Sequence, residues 1–252
     1  MRNNMLFFFL VLSMPVIAKD KSKKLVSRTT LESGFTLSTN GAMNAAALHG
    51  VQYWGIGKSR KPFKLGLGLR FTSSLGSSTL QYITAPASIT SGKTGPGVFF
   101  ASNIPNNIDT VKLNGTQVNA LNVVVHLNTR IYKKWSAEFN IDAVGFSFGS
   151  HKNATLFYGD GTKQQANFSA KPTAGNALLI SDNDLGSLNS EFKLFYQVGK
   201  KGKVNAGLAF LFNEYKLGST VKYVNSLGTA IEVDRYRTKA LLFALGYNVI
   251  LK

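Results

Sequence analysis

Few side chains in this sequence have the types and spacing that catalysis or metal binding requires. The chain has three histidines, His49, His126 and His151, and no cysteine. A histidine and serine pair could act on an ester, but Asn128 stands two positions after His126 where such a pair would place the serine. Three histidines without cysteine leave little for a transition-metal site. The sequence therefore predicts no catalytic residue, no metal and no cofactor.

Two short motifs resemble binding loops but lack residues that those loops need. Gly57-Lys58-Ser59 matches the end of a phosphate-binding loop, but Gln52 stands where the first glycine of that loop belongs. Asp182 and Asp184 have the spacing that begins a calcium loop, but Lys193 stands at the twelfth position, where that loop has an acid. We interpret both segments as turns.

The dominant pattern is strict alternation of apolar and polar residues, which predicts β-strands. Phe63–Phe71 is the clearest case, because every odd position is large and apolar while the even positions are Lys64, Gly66, Gly68 and Arg70. Helical spacing fits none of these segments. They number eight, at about residues 28–40, 48–58, 62–76, 117–132, 135–149, 187–199, 203–218 and 234–251.

The connections between these segments alternate between short and long. Short basic links are predicted at 58–61, 133–134 and 199–202, and longer ones at 41–47, 77–116, 150–186 and 219–233. Alternate connections of an up-and-down sheet lie at the same end, so the short turns would share one end with both termini. The predicted fold is therefore all-β, an eight-stranded antiparallel up-and-down transmembrane β-barrel with short periplasmic turns and long extracellular loops.

The first residues predict export. Arg2 precedes an apolar run at 5–14, and Val16-Ile17-Ala18 has the residues of a cleavage site. We divide the chain into a signal peptide at 1–18, a basic N-terminal tag at 19–26 and an outer-membrane barrel domain at 27–252. The formal net charge of +17 predicts anionic neighbours. For an exported protein these would be lipid and lipopolysaccharide phosphates, with no role for nucleic acid.

Alternation by itself leaves open which face of the sheet points inward. A secreted barrel with a ligand in an apolar lumen would show the same pattern. Three features favour the membrane version, and the first is the asymmetry between short and long connections described above. Aromatic residues such as Trp135, Tyr196 and Tyr247 fall near predicted strand ends, as they do at membrane interfaces. The polar face also mixes acids and bases, which can pair inside a narrow lumen.

The last residues resemble the C-terminal signal by which outer-membrane barrels are recognised for assembly. Gly246 is followed by Val249 and Leu251 at the third and fifth positions, although the usual terminal aromatic is missing. Over residues 27–251 the chain resembles the small eight-stranded outer-membrane barrels typified by the OmpA transmembrane domain, OmpX and OmpW. The resemblance implies integration into the bacterial outer membrane by the barrel assembly machinery.

The candidate functional residues form two sets. We predict a polar network in the lumen, made of Glu32, Arg70, His126, Arg130, Glu138, Asp142, Glu191 and Lys193. We also predict a basic rim at the periplasmic end, made of Lys58, Arg60, Lys61, Lys133, Lys134, Lys200, Lys201 and Lys203.

These patterns predict a non-enzymatic outer-membrane barrel whose long loops make contacts. The contacts would be with outer-membrane lipids and lipopolysaccharide, with other cells or with a larger membrane complex. Two alternatives stay open at this point. One is a small channel or lateral gate for small or hydrophobic solutes, and the other is a lipid-modifying barrel enzyme.

Overall fold

The computed structural model describes residues 29–56, 63–76, 79–85, 87–93, 101–159, 166–179, 183–224 and 230–251. The signal peptide and basic tag predicted at 1–26 lie outside the described residues. Lys58, Arg60 and Lys61 of the predicted rim lie outside them as well.

The described residues form thirteen strands, and all the strand pairs are antiparallel. The strands are β1 (Thr29–Thr39), β2 (Met43–Ile56), β3 (Phe63–Gly76), β4 (Leu80–Thr84), β5 (Thr110–Leu113), β6 (Gln117–Tyr132), β7 (Trp135–Phe148), β8 (Lys152–Phe157), β9 (Ala166–Pro172), β10 (Gly175–Ala177), β11 (Leu188–Val198), β12 (Gly202–Val224) and β13 (Ala230–Ile250). A short helix spans Ala87–Thr90, and a single 3-10 turn spans Pro105–Asn107. In these segments no helix has the length and apolar character needed to cross a membrane.

The strand pairing closes a ring, which we call the lower ring. β1 pairs with β13 on one side and with β2 on the other. The pairing continues through β3, β6, β7, β11 and β12, and β12 pairs with β13 to close the ring. The predicted closed, antiparallel, all-β architecture is therefore present, and the short turns at 133–134 and 199–201 lie at the same end as Ile250.

A second ring of six strands, which we call the upper ring, continues from the long hairpin β12–β13. β9 pairs with β12, and β8 pairs with β9. β5 pairs with β8, β4 pairs with β5, and β4 pairs with β13. Because β12 and β13 also pair with each other, these contacts form a closed circuit above the lower ring.

The thirteen strands exceed the eight predicted. β4, β5, β8, β9 and β10 lie inside the segments predicted as long loops, and each has only three to seven residues. Strands so short carry little alternation, and their stability comes from partners that are distant in sequence. The predicted loop at 219–233 is also mostly strand, because β12 runs to Val224 and β13 starts at Ala230. At the first hairpin, β2 begins at Met43 rather than at 48.

The lower ring is apolar outside and polar inside. On β3 the outward side chains of Leu65, Leu67 and Leu69 are 38%, 49% and 57% exposed. The next residue along β3, Arg70, points inward and is only 2% exposed. The period of two along each strand places these opposite residue types on opposite faces.

The upper ring has the opposite polarity. Its interior is an apolar core that includes Tyr82, Val111, Leu113, Leu156, Tyr215 and Tyr236. Burial in this core raises the pKa of Tyr82 above its ordinary value. The exposed outer side is mainly polar and carries Gln81, Lys112, Asn153, Asn167, Ser169, Lys171 and Lys216.

The strand β12 contains the change of polarity within one continuous segment. In the lower ring its outward Leu208 and Phe210 are exposed, and its inward Asn205 is buried. In the upper ring the outward Lys216 is exposed, while the inward Tyr215 is buried. One strand thus crosses from a polar-core environment into an apolar-core environment within a few residues.

Candidate functional site

The centre of the lower ring is occupied by the guanidinium group of Arg70 on β3. Its Nη2 donates to Asp142 Oδ1 at 2.6 Å, and its Nε donates to the same oxygen at 3.1 Å. Its Nη1 lies 2.8 Å from Glu191 Oε2 and donates to Asn140 Oδ1 at 2.7 Å. Arg70 therefore compensates two buried carboxylates that come from two other strands, β7 and β11.

Asp142 reaches this position next to an irregularity of β7. Val123 pairs with Val144 and Val124 pairs with Asp142, so Ala143 is the extra residue of a β-bulge. The second oxygen of Asp142 accepts hydrogen bonds from Asn122 Nδ2 at 2.8 Å and from the backbone N–H of Asn189 at 2.8 Å. The carboxylate is thus held by one cation and two neutral donors.

Lys193 extends the network toward β1. Its Nζ lies 2.6 Å from Glu191 Oε2, and it also donates to Thr36 Oγ1 at 3.3 Å. Glu191 accepts a further hydrogen bond from Asn140 Nδ2 at 3.0 Å. Each of these charged groups is almost fully buried, so the pairing offsets part of the cost of removing the charges from water.

A second carboxylate cluster surrounds Glu138 on β7. Its Oε2 accepts the Tyr53 hydroxyl at 2.5 Å and Asn128 Nδ2 at 3.1 Å. Its Oε1 lies 2.9 Å from His126 Nδ1. The His49 ring lies beside that of His126, with 6.5 Å between the ring centroids, and its Nε2 is 3.1 Å from Asn248 Nδ2.

The remaining predicted network residues lie at the lower end of the ring. Glu32 on β1 pairs with Lys203 on β12, and both side chains are largely buried. Lys203, predicted in the basic rim, therefore belongs to the lumen, because its position on β12 faces inward. Arg130, predicted in the network, is instead exposed near the end of β6.

The described part of the predicted rim consists of exposed lysines in the short turns. Lys133 and Lys134 form the β6–β7 turn, and Lys200 and Lys201 lie in the β11–β12 turn. Lys133 has a φ of 43°, which is the left-handed conformation that tight turns require. These four cations lie at the end of the lower ring that is opposite to the upper ring.

Several lumen residues were missed by the prediction because they carry no formal charge. Tyr53, Asn122, Asn140 and Asn189 all donate hydrogen bonds to the carboxylates, Asn189 through both its backbone N–H and its side-chain amide. The signal that identifies them is the one that identified Arg70, since they share the polar phase of alternation on β2, β6, β7 and β11. A search restricted to charged residues passes over them.

The lumen is filled by these side chains. Arg70, Asn140, Asp142, Glu191 and Lys193 are all 2% exposed or less, whereas a water-filled channel would leave its lining residues accessible. A cavity of about 10 Å³ lies above Asp142, bounded in part by Asn122 and Asn213. That volume has room for roughly a single water molecule.

An apolar layer lies between the polar network and the upper ring. Met43, Ala209, Leu211, Leu242 and Ala244 form a buried cluster there. Met43, at the start of β2, therefore meets side chains of β12 and β13 across the barrel. The interior passes from charged groups to this layer, where Asn213 also donates to Ser74 at 2.9 Å, and then to the apolar core of the upper ring.

A buried ion pair lies on the outer side of β12 and β13 where the polarity changes. Arg237 Nη2 is 2.9 Å from Glu214 Oε2, and both side chains are nearly inaccessible. The loop before β11 covers the pair. The backbone N–H of Gly186 donates to Glu214 Oε1 at 3.2 Å, and Arg237 donates to the backbone carbonyl of Asp184. The pair attaches this loop to the long hairpin.

The part of the chain that the structure describes contains no candidate metal site. No three histidine, aspartate or glutamate side chains come together there in an arrangement that could hold a metal ion. The fold and its lumen thus define a closed antiparallel barrel with a packed, charged interior and an apolar outer wall.

No family model matches this chain, and no curated protein sequence matches it. Among solved structures, it is similar to Neisserial surface protein A, at 6% identity and a TM-score of 0.33, with 88% of this chain and 94% of that chain covered. It is similar to Ail, the attachment invasion locus protein of Yersinia pestis, at 10% identity and a TM-score of 0.32, with 88% and 97% covered. Both are small outer-membrane β-barrel proteins. A Pseudomonas aeruginosa FadL homologue is also similar, at 12% identity and a TM-score of 0.23, with 83% and 68% covered.

Proposed function

We propose that this protein is a non-enzymatic integral protein of the bacterial outer membrane. In this proposal the lower ring is an eight-stranded transmembrane barrel, and the upper ring is a rigid extracellular head that makes surface contacts. The observation that carries the proposal is the reversal of polarity between the two rings. A wall that is apolar outside requires an apolar solvent, and a wall that is polar outside requires water.

The lower ring has the two properties that a membrane demands. Its outer wall exposes a belt of large apolar side chains contributed by all eight of its strands, far more than a soluble monomer presents. Its strands also pair around a complete circuit, so the backbone polar groups have partners where lipid offers none. Removal of the belt from water on insertion stabilises the barrel in the membrane.

The packed lumen favours a closed barrel over a channel. The charged side chains that could line a pore are bound to one another, and the apolar layer around Met43 and Leu242 blocks the route above them. In planar bilayers we expect no conductance steps above background. Steps that persist in highly purified protein would contradict the closed state and restore the channel as the better function.

The outer face of the head favours an anionic partner. Lys171 and Lys216 occupy directly opposite positions on β9 and β12, and like charges so placed repel each other. Asp234 compensates Lys216 at 2.8 Å, and Lys112 adds another exposed cation on β5. Phosphate groups of lipopolysaccharide on the same or a neighbouring cell are partners of suitable charge.

Single cysteines can test the orientation and the membrane boundary, because the chain contains none of its own. A membrane-impermeant maleimide added to intact cells should label Asn153→Cys in the upper ring. It should not label Leu69→Cys in the belt, and it should label Lys200→Cys only after the outer membrane is permeabilised. Labelling of Leu69→Cys at the rate of Asn153→Cys would contradict the membrane assignment.

The anionic-partner part of the proposal has its own test. Protein in nanodiscs of neutral lipid should bind a lipopolysaccharide-coated surface, with binding that weakens as salt rises. Lys171→Ala with Lys216→Ala should reduce the affinity by roughly thirtyfold at low salt, since each cation near the surface contributes on the order of 1 kcal/mol. Lys133→Ala with Lys134→Ala is the matched control at the opposite end and should leave binding unchanged. Equal binding by both double variants would refute the role of the head.

A further inference from the structure

A recess of about 390 Å³ lies on the outer wall of the lower ring, next to the β1–β2 hairpin. Strand register explains its shape. One row across four strands reads Phe243, Thr39, Asn44 and Leu75, and the row below it reads Leu245, Leu37, Ala46 and Ser73. In the first row the large side chains of Phe243 and Leu75 flank two short polar ones, and in the second row Leu245 and Leu37 stand beside the small Ala46 and Ser73. The result is a furrow beside the large apolar side chains of these strands.

The furrow is closed at its lower end. The next row reads Tyr247, Phe35, Leu48 and Phe71, all of them large, so the small-residue floor stops there. At its upper end the barrel wall is shorter on this side. β1 and β2 are joined by the short turn at 40–42, while β12 and β13 continue upward. The furrow therefore opens toward the side of the upper ring.

Polar groups lie inside this furrow, although it belongs to the apolar belt. The Thr39 hydroxyl donates to Asn44 Oδ1 at 2.6 Å, and the backbone N–H of Gly41 donates to Thr39 Oγ1 at 3.2 Å. These bonds orient the Asn44 carboxamide, which brings N–H donors to the wall, and Ser73 adds a hydroxyl in the row below. An ordinary lipid-facing surface would carry aliphatic side chains here, because polar groups exposed to hydrocarbon are costly.

We propose that the furrow binds one acyl chain of lipopolysaccharide from the outer leaflet. The inference rests on the proposed membrane orientation, which places the open end of the furrow at the outer surface. The apolar sides formed by Leu37, Leu75, Phe243 and Leu245 fit the methylene chain. Asn44, Thr39 and Ser73 fit the carbonyl and hydroxyl groups that lipid A acyl chains carry near their attachment. Phospholipid chains offer fewer such groups, which is why the proposal commits to lipopolysaccharide.

A cation lies at the level where the lipid headgroup would be. Along β13 the outward positions above Phe243 are Leu241, which is exposed and apolar, and then Lys239, which is exposed and whose Nζ lies 5.5 Å from the centre of the Phe212 ring on β12. Going up the strand, side chains that could contact an acyl chain therefore come first, and a cation follows. A phosphate on the headgroup of the bound lipid would approach Lys239 from the membrane surface.

Native mass spectrometry of the detergent-solubilised protein can test this binding. The protein is incubated with lipopolysaccharide or with phosphatidylethanolamine, and the lipid retained after a fixed detergent wash is counted. The wild-type chain should retain one lipopolysaccharide molecule and little phospholipid. Ala46→Phe fills the floor of the furrow and should lower lipopolysaccharide retention at least about fivefold, since overpacking a site costs about 1 kcal/mol or more.

The matched control is Ala206→Phe. Ala206 is also outward and exposed, and it is paired with Leu245 on the side away from the furrow. This variant should retain lipopolysaccharide as the wild type does. Ser73→Leu is a second furrow variant, and it should behave like Ala46→Phe. Each variant is first shown to fold by its altered migration on an unheated denaturing gel.

The outcomes separate this inference from the proposed function. Equal lipopolysaccharide retention by all folded variants would refute the furrow and leave the membrane barrel intact. Retention of phosphatidylethanolamine at the level of lipopolysaccharide would refute the commitment to lipopolysaccharide. Labelling of the belt cysteine described above would overturn the membrane assignment itself and the furrow proposal with it.

Discussion

Replacing Arg70 with methionine removes the cation on which the lumen network is centred. Methionine has a similar length and no charge, so the substitution tests charge compensation more than side-chain volume. In the altered barrel, Asp142 would keep only its neutral donors, Asn122 Nδ2 and the backbone N–H of Asn189. Glu191 would still have Lys193 at 2.6 Å. The uncompensated charge would therefore be concentrated on Asp142.

The expected loss of stability follows from that arrangement. Removing one partner of a buried ion pair costs roughly 3–5 kcal/mol. Because both carboxylates keep other hydrogen-bond donors, we expect the smallest loss in this range, about 3 kcal/mol in the free energy of unfolding. Adding Asp142→Asn removes the stranded charge, so the double variant should recover more than half of the loss. Such non-additivity is expected for residues that share one network.

The assay is equilibrium urea unfolding of the protein in phospholipid vesicles, followed by tryptophan fluorescence and by migration on unheated gels. Arg130→Met is the control, because Arg130 is exposed at the lower end of β6 and the chemical change is identical. The control should alter the free energy of unfolding by no more than about 0.5 kcal/mol. A loss below about 1 kcal/mol for Arg70→Met, or a loss equal to that of the control, would refute the network as a source of stability.

Three further predictions concern the belt, the head and the loop. Leu69→Arg should lower the free energy of unfolding in vesicles by about 2–4 kcal/mol, whereas Asn153→Arg should leave it unchanged. Urea titration of both variants measures the difference. Tyr215→Ala removes a core side chain of the upper ring and should lower the free energy of unfolding of that ring by about 3–5 kcal/mol. Limited proteolysis should then cleave the head while the lower ring keeps its heat-dependent gel migration. Glu214→Ala should leave Arg237 buried without its carboxylate, and faster hydrogen exchange at 184–187 would report release of the loop that covers it.

The lower ring and most of its lumen were predictable because side-chain direction in a strand is a local property. A period of two assigns each residue to a face, whatever strand lies beside it. Arg70, His126, Glu138, Asp142, Glu191 and Lys193 were placed in the lumen on that basis, and the structure brings them together there. The alternation does not show where a strand ends and a turn begins, so Arg130, at the exposed end of β6, was placed in the lumen, and Lys203, an inward residue of β12, was placed in the rim.

The upper ring could not be predicted for a different physical reason. Its short strands have no stable pairing with their chain neighbours alone, and a loop of many residues separates most partners. β5 and β8, for example, pair across the whole of β6 and β7. The energy that orders them comes from an apolar core that forms only when all six strands are assembled.

The sequence by itself determined which face of each long strand is apolar, because that depends only on residue type and the period of two. Tertiary structure alone decided which neighbours the strands take, and therefore where the apolar face lies relative to solvent. The hairpin of β12 and β13 shows this difference. In β12 the apolar residues move from the outward positions of Leu208 and Phe210 to the inward positions of Tyr215 and Leu217, and this change can be read in the sequence. Only the tertiary structure supplies the change of neighbours from β11 and β1 to β9 and β4, which encloses the apolar face.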